Sequence, residues 1–276
     1  MPVFSRLLRI TDRRCASTEC SGPLLFYAFT SRRDGIRLDR EWFCGPECLE
    51  LAVRKRIESL HKLDTHSRVR QNARIPLGLL LLSRGVLNRD HLQLVLQRQR
   101  MTGENFGDAA QQLGFATADQ ITAAVAAQWA CPVFSLRDRL PATNIQIPYR
   151  LLELYQMLPV HFTEDGRRLL IAFVNAVHHQ ILYTIEQMTS CVADPCFITA
   201  QEHTRHIHAS SSQFLGDNEV VFEQAMDLSE LAHIVRNYAV QSGAAQVRMG
   251  RCREYLWTRV WGRKREMDLL FRMRNS

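Results

Sequence analysis

The sequence predicts an α+β multidomain chain, and three observations predict it. Four cysteines fall in two pairs within the first 48 residues. A pattern of glycines, aliphatic residues and glutamines is written twice, 29 residues apart, between residues 77 and 128. Beyond it, apolar runs of strand length alternate with helical stretches. The expected order is a small cysteine module over residues 1–63, a tandem-repeat helical domain over 74–137, a small α/β domain over 138–209 and a C-terminal α/β fragment over 218–276. Polar stretches at 64–73 and 209–218 read as linkers.

Charge supports the division. The 276 residues include 35 Lys and Arg against 28 Asp and Glu, a net charge of +7. Residues 1–74 carry 15 basic and 9 acidic side chains, whereas residues 75–216 carry 10 and 11. Residues 248–276 are basic again, with 9 against 3. Lysine is scarce: Lys55, Lys62 and Lys264 follow Arg54, His61 and Arg263, so no Gly-Lys-Ser/Thr phosphate loop exists. Serine-hydrolase and zinc-protease signatures are also missing. The chain therefore reads as no enzyme. Its longest apolar run, Ile75–Leu82, spans 8 residues, against about 20 for a membrane-spanning helix. The first ten residues contain Arg6 and Arg9 and no secretory core. The expectation is a cytoplasmic chain without membrane insertion, with reduced thiols.

In such a compartment, paired cysteines point to metal. Cys15-x4-Cys20 and Cys44-x3-Cys48 can place four thiolates tetrahedrally around structural zinc. The segment Leu24–Arg40 reads as a hairpin turning near Asp34-Gly35. Leu49–Lys62 reads as a helix, and Pro46 and Glu47 suit its first turn. Cys48 then sits near a helix amino terminus, where the dipole favours thiolate. The run Trp42-Phe-Cys-Gly-Pro-Glu-Cys-Leu49 resembles the second knuckle of small treble-clef zinc fingers.

The repeat follows. Leu77-Gly78 recurs as Phe106-Gly107, Gly85 as Gly114, Leu92 as Ile121, Leu96 as Val125 and Gln99 as Gln128. Each copy reads as a short helix (Leu79–Arg84, Asp108–Leu113), a glycine break and a second helix. Gly85 and Gly114 suit left-handed C′ positions. Asn88 and Thr117 suit N-caps. Leu92, Leu96 and Gln99 lie at i, i+4 and i+7, so they share one helix face. Ile121, Val125 and Gln128 repeat it.

This double pattern resembles the N-terminal domain of type II secretion and type IV pilus assembly ATPases, and in particular the cyclic di-GMP receptor form found on mannose-sensitive haemagglutinin pilus ATPases. The resemblance implies a ligand set of Leu77, Gly78, Gly85, Leu92, Gln99, Phe106, Gly107, Gly114, Ile121 and Gln128, with cyclic di-GMP as the ligand. It departs at the two arginine positions, which hold Pro76 and Asn105. Arg74 and Arg100 are close by in sequence. Ala109, Ala110 and Gln111 stand where the pattern has apolar bulk. The likeness continues strongly to about residue 205, through a helix and strand at 147–160, strands at 168–175 and 192–198, and helices at 181–189 and 200–208. It extends weakly to a helix and three strands over 230–273, while the catalytic ATPase domain is absent. It implies a regulatory or adaptor protein whose partners are secretion or pilus components, working in the cytoplasm and peripheral to an inner-membrane assembly. The competing reading is a zinc-finger DNA-binding transcriptional regulator, favoured by the basic first 74 residues and by arginines alternating with apolar residues from Arg248 to Arg274.

Overall fold

The computed structural model describes residues 15–20, 35–66, 74–137, 140–142, 145–163, 165–209 and 218–273. The chain divides into two compact units. One joins Met1–Ser67 to Asp217–Ser276, and the other spans Arg68–Gly216. No helix among the described residues is long and apolar enough to cross a membrane.

The first unit is a six-stranded sheet with helices on one face. Strands β1 (Ile36–Leu38) and β2 (Glu41–Phe43) form a hairpin. Its two-residue turn holds Asp39 in the left-handed region, at φ 54, which an Asp tolerates better than most residues. Most of the hairpin expected over Leu24–Arg40 lies outside the described residues; the described turn is at Asp39–Arg40. Helix α1 (Pro46–His66) follows. Its Leu49, Val53 and Ile57 recur at helical spacing and are fully buried. Strand β6 (Glu219–Phe222), helix α9 (Leu228–Ser242) and strands β7 (Gln246–Cys252), β8 (Tyr255–Trp261) and β9 (Glu266–Arg272) complete the unit. The strand order is β2-β1-β7-β8-β9-β6.

This order changes the expected organisation. The cysteine module and the C-terminal fragment read as separate pieces in the sequence, yet β1 pairs parallel to β7, with Arg37 opposite Gln246 and Leu38 opposite Val247. The core is shared: Ile36, Phe43, Leu49 and Val53 pack with Leu231, Val235, Met249 and Leu256. Each piece therefore covers apolar surface of the other. Strand β6 sits just beyond the predicted linker, and four residues are too few to announce a strand by periodicity.

The second unit begins with the repeat. Helices α2 (Leu77–Ser83) and α3 (Arg89–Thr102) form the first copy, and α4 (Phe106–Gln112) and α5 (Ala118–Trp129) the second. Gly85 and Gly114 take φ 71 and 72, as the C′ role demands. The Asn88 side chain accepts from the His91 amide, and Thr117 forms a reciprocal capping box with Gln120. The short helices begin two residues earlier than the sequence suggested.

The copies are interlocked. The short helix of the first copy packs on the long helix of the second, with Leu81 and Leu87 against Ala124. The short helix of the second packs on the long helix of the first, with Ala109 and Ala110 against Val95. The face Leu92-Leu96-Gln99 is therefore not the core face; Val95 is buried while Leu96 stays 38% exposed. Ala109 and Ala110 are fully buried, so small side chains there set how closely α4 approaches α3.

The small α/β part holds α6 (Tyr149–Leu154), β3 (Met157–Phe162), β4 (Arg168–Phe173), α7 (His179–Thr189), β5 (Val192–Phe197) and α8 (Ala200–Ala209). Strand β4 is central, antiparallel to β3 and parallel to β5. The residues after α5 add to its edge through a bridge between Val133 and Phe197. Glu202 locks that connection. It closes a capping box with Thr199 at the start of α8, accepting from the Thr199 amide at 3.1 Å while Thr199 Oγ1 accepts from the Glu202 amide at 3.2 Å. Its other oxygen accepts from the Leu136 amide at 2.8 Å and from Ser135 Oγ at 3.2 Å. Burial pushes the Glu202 carboxyl up, but these hydrogen bonds together hold it below the usual carboxylate range.

Two outcomes test this packing. A Cβ on Gly78 would lie 2.8 Å from Leu92 Cδ1 and 2.9 Å from Phe106 Cζ. Gly78→Val is expected to cost about 1–3 kcal/mol, read from urea denaturation midpoints. Because the folded-state pKa of Glu202 is depressed, its contribution is complete above the ordinary carboxylate pKa and is lost as pH falls through the folded value. Glu202→Gln should cost about 1–3 kcal/mol near neutral pH and should flatten the acid side of the stability profile.

Candidate functional site

Two sites can be built from these elements. The first is the cysteine cluster. Cys44 follows β2 and Cys48 lies in the first turn of α1, while Cys15 and Cys20 flank a short turn beside them. The Ala16 amide donates to the Trp42 carbonyl at 3.0 Å, tying that turn to β2. Lys55 on α1 reaches across to Glu19 at 3.1 Å and Thr18 at 3.3 Å. The four Sγ atoms all lie within 4.8 Å of one another. Cys20 and Cys44 are 3.6 Å apart, and Cys44 and Cys48 are 3.8 Å apart. A tetrahedral ion with metal–sulfur bonds of about 2.3 Å sets its sulfurs about 3.8 Å apart, so the spacing fits zinc. It is far too long for a disulfide of about 2.05 Å.

The electrostatics differ from the sequence expectation. The helix start was expected to favour thiolate at Cys48, but burial and the thiols of Cys15, Cys44 and Cys20 push Cys48 up. Cys48 in this crowded cluster therefore resists ionisation until a cation balances it, and metal binding would release its proton.

Of the remaining cysteines, Cys131 and Cys191 are half-buried and Cys196 and Cys252 act as packing residues. Cys196 and Cys252 are buried, and burial, with Cys131 adding to it, raises Cys196 to about 12. His203 and His206 also turn inward, at 7% and 8% exposure. Burial lowers the His203 pKa, keeping the ring neutral.

The second site is a cavity of about 210 Å³ at the second repeat copy. Leu77, Phe106, Gly107, Ile121 and Gln128 line it, five of the ten residues of the expected ligand set. The other five have different roles or positions. Gly85 and Gly114 shape turns, Gly78 lies against Leu92 and Phe106, and Leu92 and Gln99 are not among the cavity's lining residues. Sequence reasoning missed Asp108, Gln111 and Asn175, which bring polar groups to the same space. Asn175 arrives with Val174 from the end of β4, a contact that repeat periodicity cannot reveal. Arg74 does not reach the cavity lining; its guanidinium stacks 3.2 Å over the Trp129 ring.

The basic C-terminal strands are less exposed than their sequence implied. Arg259 on β8 forms two 2.8 Å hydrogen bonds to Asp268 on β9, and Trp257 Nε1 donates to the same carboxylate. Arg259 and Asp268 are 4% and 2% exposed.

No protein-family model matches the chain, and no curated protein does. Among solved structures, the chain is similar to MshE with cyclic di-GMP (cdg), at 21% identity and a TM-score of 0.42 over 49% of this chain and 99% of that one. It is also similar to the N-terminal domain of XpsE, at 15% identity and a TM-score of 0.38 over 51% of this chain and 94% of that one. A second crystal form of that domain matches at 19% identity and a TM-score of 0.30, over 46% and 89%.

Elemental analysis of the purified chain should find about one zinc per molecule. Cys44→Ser or Cys48→Ser should remove it and lower the thermal midpoint, and acidification should release the metal as the thiolates protonate.

Proposed function

We propose that the chain is a regulatory or adaptor protein of a type II secretion or type IV pilus type system, acting in the cytoplasm by binding and not by catalysis. The observation that carries this reading is the cavity at the second repeat copy. Five residues that the family pattern reserves for ligand meet there, although they come from two helices of one copy and the first helix of the other. Zinc in the tetrathiolate cluster serves as a structural cofactor for the first unit.

The adaptor half draws support from the surface of the tandem domain. Ile75, Leu79, Leu94, Leu96 and Met101 are 58%, 49%, 48%, 38% and 79% exposed. These large apolar side chains are open to a partner, with Leu94 and Leu96 on opposite sides of α3. The DNA-binding alternative has less support. A finger that reads DNA inserts a helix into the major groove, whereas α1 packs along α9 and its hairpin is the edge of a larger sheet.

Titration calorimetry with cyclic di-GMP tests the ligand half: heat is expected with wild-type chain and should weaken with Gly107→Val, whose side chain meets Ile121 Cγ2 at 2.9 Å. Silence from folded protein removes that half. Co-purification of secretion or pilus components with the tagged chain is the expected result for the adaptor half, and their consistent absence removes it.

A further inference from the structure

The burial of Arg259 accounts for only one of the arginines in the basic C-terminal stretch. Arg263, Lys264 and Arg265 follow one another in the turn between β8 and β9, and all three are exposed. Together with the last turn of α9 they line a cavity of about 560 Å³. Of the described residues that line it, none is acidic. Three formal positive charges therefore gather at one concavity, and Tyr238 and Gln241 add neutral polar groups to it.

The backbone holds these charges in place. Two glycines let the turn touch the helix end. A Cβ on Gly262 would lie 2.7 Å from Ser242 Cβ and 3.0 Å from the Arg265 carbonyl oxygen. Gly243 takes φ 60 and lies against Arg263, whose Cδ and Nε would both stand 3.3 Å from an added Cβ. The Arg263 amide donates to the Ser242 carbonyl at 3.0 Å, and the Gly262 amide donates to the Arg265 carbonyl at 3.1 Å. The carboxyl end of a helix opposes anions with roughly half a negative charge. Here the Val240 carbonyl accepts from the Gly243 amide at 3.1 Å, and the Ala239 carbonyl from the Ala244 amide at 2.8 Å. Three formal cations outweigh what remains of the dipole.

We propose that this cavity binds a short phosphate chain, of the diphosphate or triphosphate class. It belongs to the first unit, so the inference goes beyond the ligand and adaptor readings above and stands apart from them. Arginine forks pair with phosphate oxygens in bidentate fashion, and the lysine between them adds a compact point charge. Three consecutive Cα atoms span at most about 7.6 Å, so the ligand must concentrate its charge over a similarly short distance. Adjacent phosphates do so. The side chains of an extended acidic peptide alternate in direction and spread their charges. The volume lies within the roughly 300–1,000 Å³ of small-molecule pockets, whereas a nucleic-acid strand would need a longer cationic groove to follow its backbone.

Calorimetry on the full chain with tripolyphosphate, pyrophosphate, orthophosphate and hexaglutamate decides the matter. Tripolyphosphate and pyrophosphate are expected to bind at least about tenfold more tightly than orthophosphate and hexaglutamate, and to weaken as salt is added. Lys264→Gln and Arg265→Gln should each weaken tripolyphosphate by about tenfold. The circular dichroism spectrum should not change, because both side chains are exposed. Arg205→Gln, exposed on α8 of the other unit, should leave binding unaltered. Hexaglutamate binding as tightly as tripolyphosphate overturns the inference in favour of an acidic peptide. Silence from all four probes, or binding that survives both substitutions, overturns it outright. None of these outcomes bears on the cyclic di-GMP titration or on co-purification, which test the readings above.

Discussion

The close approach of helices at two glycines is the constraint on which the second unit depends. Gly78 lies beneath Leu92 and Phe106, and Gly107 beneath Ile121. In each case the glycine meets the residue fourteen positions later. The repeat is therefore a repeat of contacts within each copy, and Gly78 also meets Phe106 of the other copy. Where α4 packs on α3, Ala109 and Ala110 are fully buried against Val95 at positions where bulk was expected. The cavity follows as well, because Leu77 of the first copy reaches the second copy only when α2 lies against α5.

The two copies are alike in backbone and unlike in surroundings. Val174, Asn175 and Ala200 close one side of the second copy's cavity. In the first copy, the matching face leaves Leu79 and Leu96 exposed. One scaffold thus presents a small pocket at one copy and exposed leucines at the matching positions of the other.

Much of this was legible in the sequence, for identifiable reasons. The glycine turns, the Asn88 and Thr117 caps and the cysteine pairs are local, and local chemistry is written in adjacent residues. The strands β3 to β5 and β7 to β9 are anticipated from the family resemblance and not from apolar runs, since β5 carries Asp194 and Pro195 and β7 carries two arginines. What stayed hidden is non-local. The pairing of β1 with β7 joins residues more than 200 positions apart. The Glu202 contact with Leu136 crosses 66 positions. The burial of Arg259 depends on Asp268 standing opposite it across two strands. Periodicity reports which face of an element is apolar and not what lies against it. The same limit applied at the cavity, where the residues supplied by the motif were foreseen and those supplied by β4 and α8 were not.

The parallel pairing of β1 with β7 has a consequence for synthesis. A ribosome delivers residues 36–43 long before residues 246–252, so the hairpin emerges without the strand it must join. Domains usually fold as they appear, but this unit cannot, since half of its core comes last. The tetrathiolate cluster is complete once Cys48 has been made. A metal ion bound there would hold the hairpin and the start of α1 in register while the intervening unit is translated and folds. On this view the cluster acts as a placeholder in time, keeping one edge of a sheet ready for strands that have yet to be made.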